Sequence, residues 1–245
     1  MKEYTIQSLN CGLTIRDTSQ TAYMLNPGVP HNLPVISYYI TDGYEKIIVD
    51  TGGTPADGKS HMYYAQAEDE TLEKQLEKIG VDPKDVHTVI FTHLHWDHCA
   101  NNHIFPNAKF YAQKEELRYA AAPIELHRKY YDPHILFQTT YEFLDKDSEI
   151  MEGINVLFTP GHSPGSQSIL VDTRDGIYAI PGDLVTIMEQ WEATPKIPNG
   201  LHVDLISFSE SLNRLSRACD HILPSHDPRT LAEKIYPQEK ETLVI

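Results

Sequence analysis

Apolar and polar positions along this chain follow two rhythms, and the places where the rhythm changes mark its elements. Short apolar runs rich in β-branched and aromatic residues, at Tyr4 to Leu9, Leu33 to Thr41 and Lys46 to Asp50, predict strands. Asp42-Gly43 between the last two is a hairpin signal. From Glu68 to Ile79 the spacing changes. Leu72, Leu76 and Ile79 recur at helical intervals among charged residues, and Gly80 is placed to stop the helix. Asp85 to Phe91 predicts a buried strand, Lys109 to Ala112 a short one, and Lys114 to Ala122 a helix. Ile154 to Thr159, Gly176 to Ile180 and the run from His221 read as strands, while Leu205, Phe208, Leu212 and Leu215 give Asp204 to Ala218 a helical stripe. The mixture predicts an α/β fold. It is read as a single domain over 1–245 with two similar halves, since Val156 to Thr159 echoes Val89 to Thr92.

The segment Pro123 to Phe137 fits neither rhythm cleanly. It mixes Tyr130, Tyr131, Ile135, Leu136 and Phe137 with His127 and His134, and Pro133 is expected to bend or end any helix there. A helical hairpin is the plainer reading, and a lid or wall over a substrate pocket the alternative.

The ends of the predicted strands carry the chemistry. The strand to Phe91 runs into Thr92-His93-Leu94-His95-Trp96-Asp97-His98, which packs strong metal-ligand side chains into a few positions. In extended backbone, side chains at i and i+2 point the same way, so His93 and His95 can share one ion. Asp97 and His98 follow the turn and can face a second. The later strands run into His162, Asp183 and His226 in the same manner, each after a Pro or Gly turn. Taken one at a time these are ordinary turn or loop residues; taken together they complete a set of metal donors. Cys99 could add a thiolate, but a small buried residue behind the site is the plainer role. Asp50 either orients a ligand histidine or caps the turn at Gly52-Gly53.

Composition narrows the partners. A formal net charge of −15 argues against a nucleic-acid backbone, which needs clustered Lys and Arg. The apolar runs are strand-sized and the start lacks a signal-peptide pattern, so no membrane is implied. Three widely spaced cysteines, Cys11, Cys99 and Cys219, suit a reducing compartment, and the cytoplasm is expected. A homodimer is left open.

The series His93-Leu94-His95-Trp96-Asp97-His98, Gly161-His162, Gly182-Asp183 and Ser225-His226 resembles the metallo-β-lactamase superfamily. Within it the chain is most similar to the N-acyl homoserine lactonases, through Asn32-Leu33-Pro34-Val35, Ile48-Val49-Asp50-Thr51-Gly52 and Thr159-Pro160-Gly161-His162-Ser163-Pro164-Gly165. The resemblance implies a four-layer αβ/βα sandwich with a dinuclear site. His93, His95 and His162 would hold one ion, Asp97, His98 and His226 the other, and Asp183 would bridge them. Two divalent ions are expected, zinc first, with iron, manganese and cobalt also admissible. Two such ions about 4 Å apart lower the pKa of a shared water toward neutrality, giving a hydroxide that attacks the ester carbonyl. Asp97 would carry a proton to the leaving oxygen. The implied activity is opening of a small lactone, quorum quenching if that lactone is an N-acyl homoserine lactone. A glyoxalase II-like thioesterase or another hydrolase of the same fold is the alternative, and a non-catalytic metal-binding protein a third reading. Two departures stand out. Thr186 occupies the place of a tyrosine that the lactonases use toward the substrate carbonyl, and Cys99-Ala100-Asn101 replaces their Gly-rich turn.

Overall fold

A computed structural model describes residues 2–56 and 63–238. Its strands are β1 (Thr5–Asp17), β2 (Pro30–Thr41), β3 (Ile47–Val49), β4 (Tyr64–Ala65), β5 (Thr88–Ile90), β6 (Lys109–Gln113) and β7 (Tyr141–Leu144), followed by β8 (Ser148–Met151), β9 (Ile154–Phe158), β10 (Gln167–Thr173), β11 (Gly176–Ile180), β12 (His221–Ile222) and β13 (Ile235–Tyr236). The first sheet runs β13, β1, β2, β3, β5, β6, β7, with β4 paired to β1; the second runs β12, β11, β10, β9, β8.

The period of two in each strand decides how the layers stack. Ile36, Tyr38 and Ile40 of β2, Ile47 and Val49 of β3 and Ile90 of β5 face Ile154, Val156, Ile169, Val171 and Ile180 of the second sheet in one buried core. The alternate residues Val35, Tyr39, Ile48 and Val89 face outward, where Leu72 and Leu76 of the helix Leu72–Lys78 cover them. On the far side Ala179, Leu157 and Leu170 meet Phe208, Leu212 and Leu215 of the helix Leu205–Leu215. Helix, sheet, sheet, helix is the αβ/βα sandwich. Strands β3, β5, β6 and β7 are parallel, so their carboxyl ends open on one edge.

Several elements differ from expectation. The first strand runs on to Asp17, past a register shift between Asn10 and Leu13 that contains Cys11-Gly12. Such a bulge breaks the alternation, which hides the second half of the strand. The expected helix Glu68 to Ile79 is a 3-10 turn, Glu68–Glu70, and then a shorter α-helix, because the Thr71 side chain accepts from Lys74 N and caps it there. Pro133 does not end a helix. It begins one, Pro133–Gln138, with Asp132 as its cap, a position where proline's missing N–H costs nothing.

Candidate metal centre

The strand ends converge on one place. Loops after β5, β9, β11 and β12 deliver His93 and His95, His162, Asp183 and His226, and the helix Trp96–Cys99 that follows the first loop presents Asp97 and His98. All seven side chains are buried, none more than 2% exposed. The His162 loop can lie this close to the helix Leu205–Leu215 only because Gly161 has φ +142° and no side chain; a Cβ there would stand 2.4 Å from Phe208 Cα.

The donor atoms fall into two groups: His93, His95, His162 and Asp183, and Asp97, His98 and His226, each with its atoms within 4.8 Å of one another. His95 Nδ1 lies 3.0 Å from His93 Nε2 and 3.1 Å from His162 Nε2. Nitrogens about 2.0–2.1 Å from a tetrahedral ion stand about 3.3 Å apart, so this triangle is close to ligand geometry. Asp183 divides its carboxylate between the groups. Oδ1 is 3.1 Å from His226 Nε2 and 3.4 Å from His98 Nε2, while Oδ2 is 3.5 Å from His162 Nε2.

The outer ring nitrogens explain what the inner ones present. His162 Nδ1 donates to the Leu201 carbonyl at 2.8 Å and His226 Nδ1 to the Pro34 carbonyl at 2.7 Å, which turns both Nε2 atoms toward Asp183 oxygens and leaves that of the neutral His162 ring as a lone pair. Acceptors that face acceptors in a buried site repel unless cations lie between them. The protein does not supply those cations as protons on the first group. Burial holds His93 and His95 well below the usual histidine range, and burial takes His162 down to about 4. The donor set therefore fits metal ions.

Asp50 takes the orienting role. Its Oδ2 accepts from His98 Nδ1 at 2.8 Å and from Thr92 Oγ1 at 2.7 Å, and Thr92 Oγ1 lies 3.1 Å from His93 Nδ1. Burial alone would lower His98, but the Asp50, Asp183 and Asp97 carboxylates carry it well above its ordinary value. Cys99 is buried behind the site with Sγ toward the Leu94 and His95 carbonyls, not toward the donors.

Three parts of the site were not singled out from the sequence. Arg16, on the hidden half of β1, donates from Nη2 to Asp97 Oδ2 at 2.8 Å, both side chains buried. Glu116 accepts from Leu94 N, Tyr131 Oη, Ser163 Oγ and Gly165 N, tying the helix Lys114–Ala121 to both histidine loops. Asn199 Nδ2 donates to Thr186 Oγ1 at 2.7 Å and to the Asp183 carbonyl at 3.1 Å. Thr186 is thus 1% exposed with its hydroxyl engaged by Asn199. The segment before Pro133 forms a wall: Tyr130 and Tyr131 pack their rings 5.1 and 4.7 Å from that of His95. A neighbouring cleft of about 450 Å³, lined by Ala100, Asn102, Phe105 and Ile135 among others, touches none of the seven donors, so volume does not mark the reactive place.

A sandwich of two sheets with seven buried His and Asp donors at the strand ends defines the class of α/β metalloproteins with a dinuclear-type centre. Residues 32–228 match the metallo-beta-lactamase superfamily, and the chain belongs to it. An N-acyl homoserine lactonase of Bacillus cereus is 32% identical over 205 residues, 78% of each chain. One of Bacillus thuringiensis is 34% identical over 187 residues, 71% of each. Among solved structures, an N-acyl homoserine lactone hydrolase with the product N-hexanoyl-L-homoserine bound at its catalytic metal centre has a TM-score of 0.81 at 25% identity, over 97% of this chain and 99% of that one. A quorum-quenching N-acyl homoserine lactone lactonase has a TM-score of 0.80 at 26% identity, over 97% and 98%.

Proposed function

We propose that this chain is a dinuclear metal-dependent hydrolase that opens a small lactone ring, an N-acyl homoserine lactone or a relative of it. The observation that carries the reading is Asp183, whose two oxygens are shared between two groups of buried histidines. His93, His95, His162 and Asp183 would hold one ion; Asp97, His98, His226 and the other Asp183 oxygen would hold the second. Nitrogen and carboxylate donors in this mixture suit zinc first. Bound there, the ions supply the activation of water and the polarisation of the ester carbonyl. The chain's own residues do the rest. Asp50 and Thr92 fix the rings of His93 and His98, and Ser225 Oγ donates to Asp183 Oδ1 at 2.9 Å and fixes the bridge. Asp97 has Oδ2 held by Arg16, so Oδ1 is the atom placed to pass a proton to the departing alkoxide. Tyr130 and Tyr131 exclude water from the His95 side. Names of relatives 32–34% identical support a lactone as substrate, and three widely spaced cysteines support the cytoplasm as location.

Purified protein of measured metal content, assayed against a panel of lactones and a panel of thioesters, tests this. Ring opening with no thioester turnover is expected. Turnover of thioesters alone would replace the lactonase reading with the glyoxalase II-like one.

A further inference from the structure

Arg16 has more hydrogen-bonding capacity than its surroundings use. It is 7% exposed; Nη2 is bonded to Asp97, but Nε is buried and finds no partner among the described residues. In the ladder between β1 and β2 its Cα partner is His31. Directly paired residues of antiparallel strands put their side chains on the same face. His31 Nδ1 is also buried and also without a partner among the described residues. Idle buried polar groups on one face of two paired strands are costly unless something they bind repays it. Among the described residues Asp97 is the one partner found for the guanidinium, and its carboxylate belongs to the second donor group. A loaded centre would therefore leave the Arg16 charge largely uncompensated.

We propose that Arg16 and His31 form a carboxylate-binding subsite beside the metal centre, and that the substrate is a small lactone bearing a carboxylate on its ring. The subsite rests on the hydrolase reading above and moves the substrate from an N-acyl homoserine lactone, which has no ring carboxylate, to a carboxylated relative. Guanidinium is the side chain best shaped for a planar two-oxygen acceptor. In a chain with a net charge of −15, an anionic substrate needs such a local cation. The subsite adjoins Asp97, itself one of the donors, so a carboxylate held there would sit next to the centre. A carboxylate on the ring reaches it; one at the end of a long acyl chain does not.

The metal-loaded enzyme should be assayed with γ-carboxy-γ-butyrolactone and with γ-butyrolactone, and titrated calorimetrically with glutarate and with butyrate. Metal content should be measured for every variant, because Arg16 touches Asp97. The wild type is expected to favour the carboxylated lactone at least tenfold in kcat/KM and glutarate at least tenfold in Kd. Arg16→Gln should shrink both ratios tenfold or more, and His31→Leu should shrink them several-fold. Equal ratios in wild type and both variants would overturn the subsite even if both lactones are opened. If neither lactone is opened yet the glutarate preference depends on Arg16, the subsite stands and the carboxylated lactone falls as the substrate.

Discussion

Asp50 shows how one residue can govern two ligands at once. Its carboxylate holds His98 directly and His93 through Thr92. Asn at this position cannot accept both bonds on one oxygen while also receiving Thr92 N on the other. Asp50→Asn is therefore expected to weaken metal affinity about 10–100-fold, read by competition with a chromophoric chelator; wild-type affinity would remove Asp50 from the orienting role. In the proposed reaction Asp97 would have two jobs that the sequence did not separate. Asp97→Asn keeps an acceptor for Arg16 but loses the base, so turnover should fall about 100-fold or more while folding is retained. Asp97→Ala also strands the Arg16 cation, and loss of one partner of a buried pair costs about 3–5 kcal/mol. Urea melts of the two variants should separate these effects. Thr186 makes the opposite case. With its hydroxyl bound to Asn199, Thr186→Val should cost about 1 kcal/mol of stability and change kcat/KM only a few-fold; a large fall in kcat/KM would put the hydroxyl in contact with substrate after all.

At the scale of elements, the helix Lys114–Ala121 is the clamp that sets the two histidine loops against each other. Gly165 lies so close that a Cβ on it would meet Glu116 N at 2.1 Å, a backbone atom that cannot turn away. Gly165→Ala should therefore cost at least the 1–3 kcal/mol typical of overpacking and move the His162 loop, seen as a lowered Tm together with weaker metal retention. A lower Tm with unchanged metal affinity would show that the clamp does not set the site. The sequence made some of these elements legible and hid others for physical reasons. Strands that end in a ligand announced themselves, because an apolar run with β-branched residues followed by histidine has few other uses. The helix Leu205–Leu215 was legible from Phe208, Leu212 and Leu215. Strand β10 was not, since it opens with the polar Gln167 and Ser168, both buried and held by hydrogen bonds that no pattern displays. Arg16 and Glu116 were hidden for a related reason. Each is a charged residue in a stretch that reads as solvated, and burial follows only from contacts 81 and 15 to 49 residues away in the chain.

The whole molecule inherits an acid sensitivity from its centre. His93, His95 and His162 are held neutral by burial, with folded pKa values below the usual 6.5, His162 at about 4. On unfolding each regains its ordinary basicity, so below 6.5 the unfolded chain binds more protons than the folded one. Stability from these groups is thus fully present above pH 6.5 and is lost as pH falls toward 4, by up to about 1.4 kcal/mol per pH unit for each proton taken up. His98 works the other way: its raised pKa contributes stability below 6.5 that is lost as pH rises through its folded value, so it does not offset the acid limb. Metal ligation needs the same imidazoles deprotonated, and a site absent from the unfolded chain makes ion binding a stabilising contribution to the fold. Chelated protein is therefore expected to melt at lower temperature than metal-loaded protein at pH 7.5. Its stability should decline steeply between pH 6.5 and 4, and added zinc should move that decline to lower pH. Calorimetry of both forms across that range measures it. Coincident curves with and without metal would mean that the seven donors do not bind ions tightly enough to matter to the fold, whereas a metal-dependent gap that closes as the imidazoles protonate ties the acid limb to the centre itself.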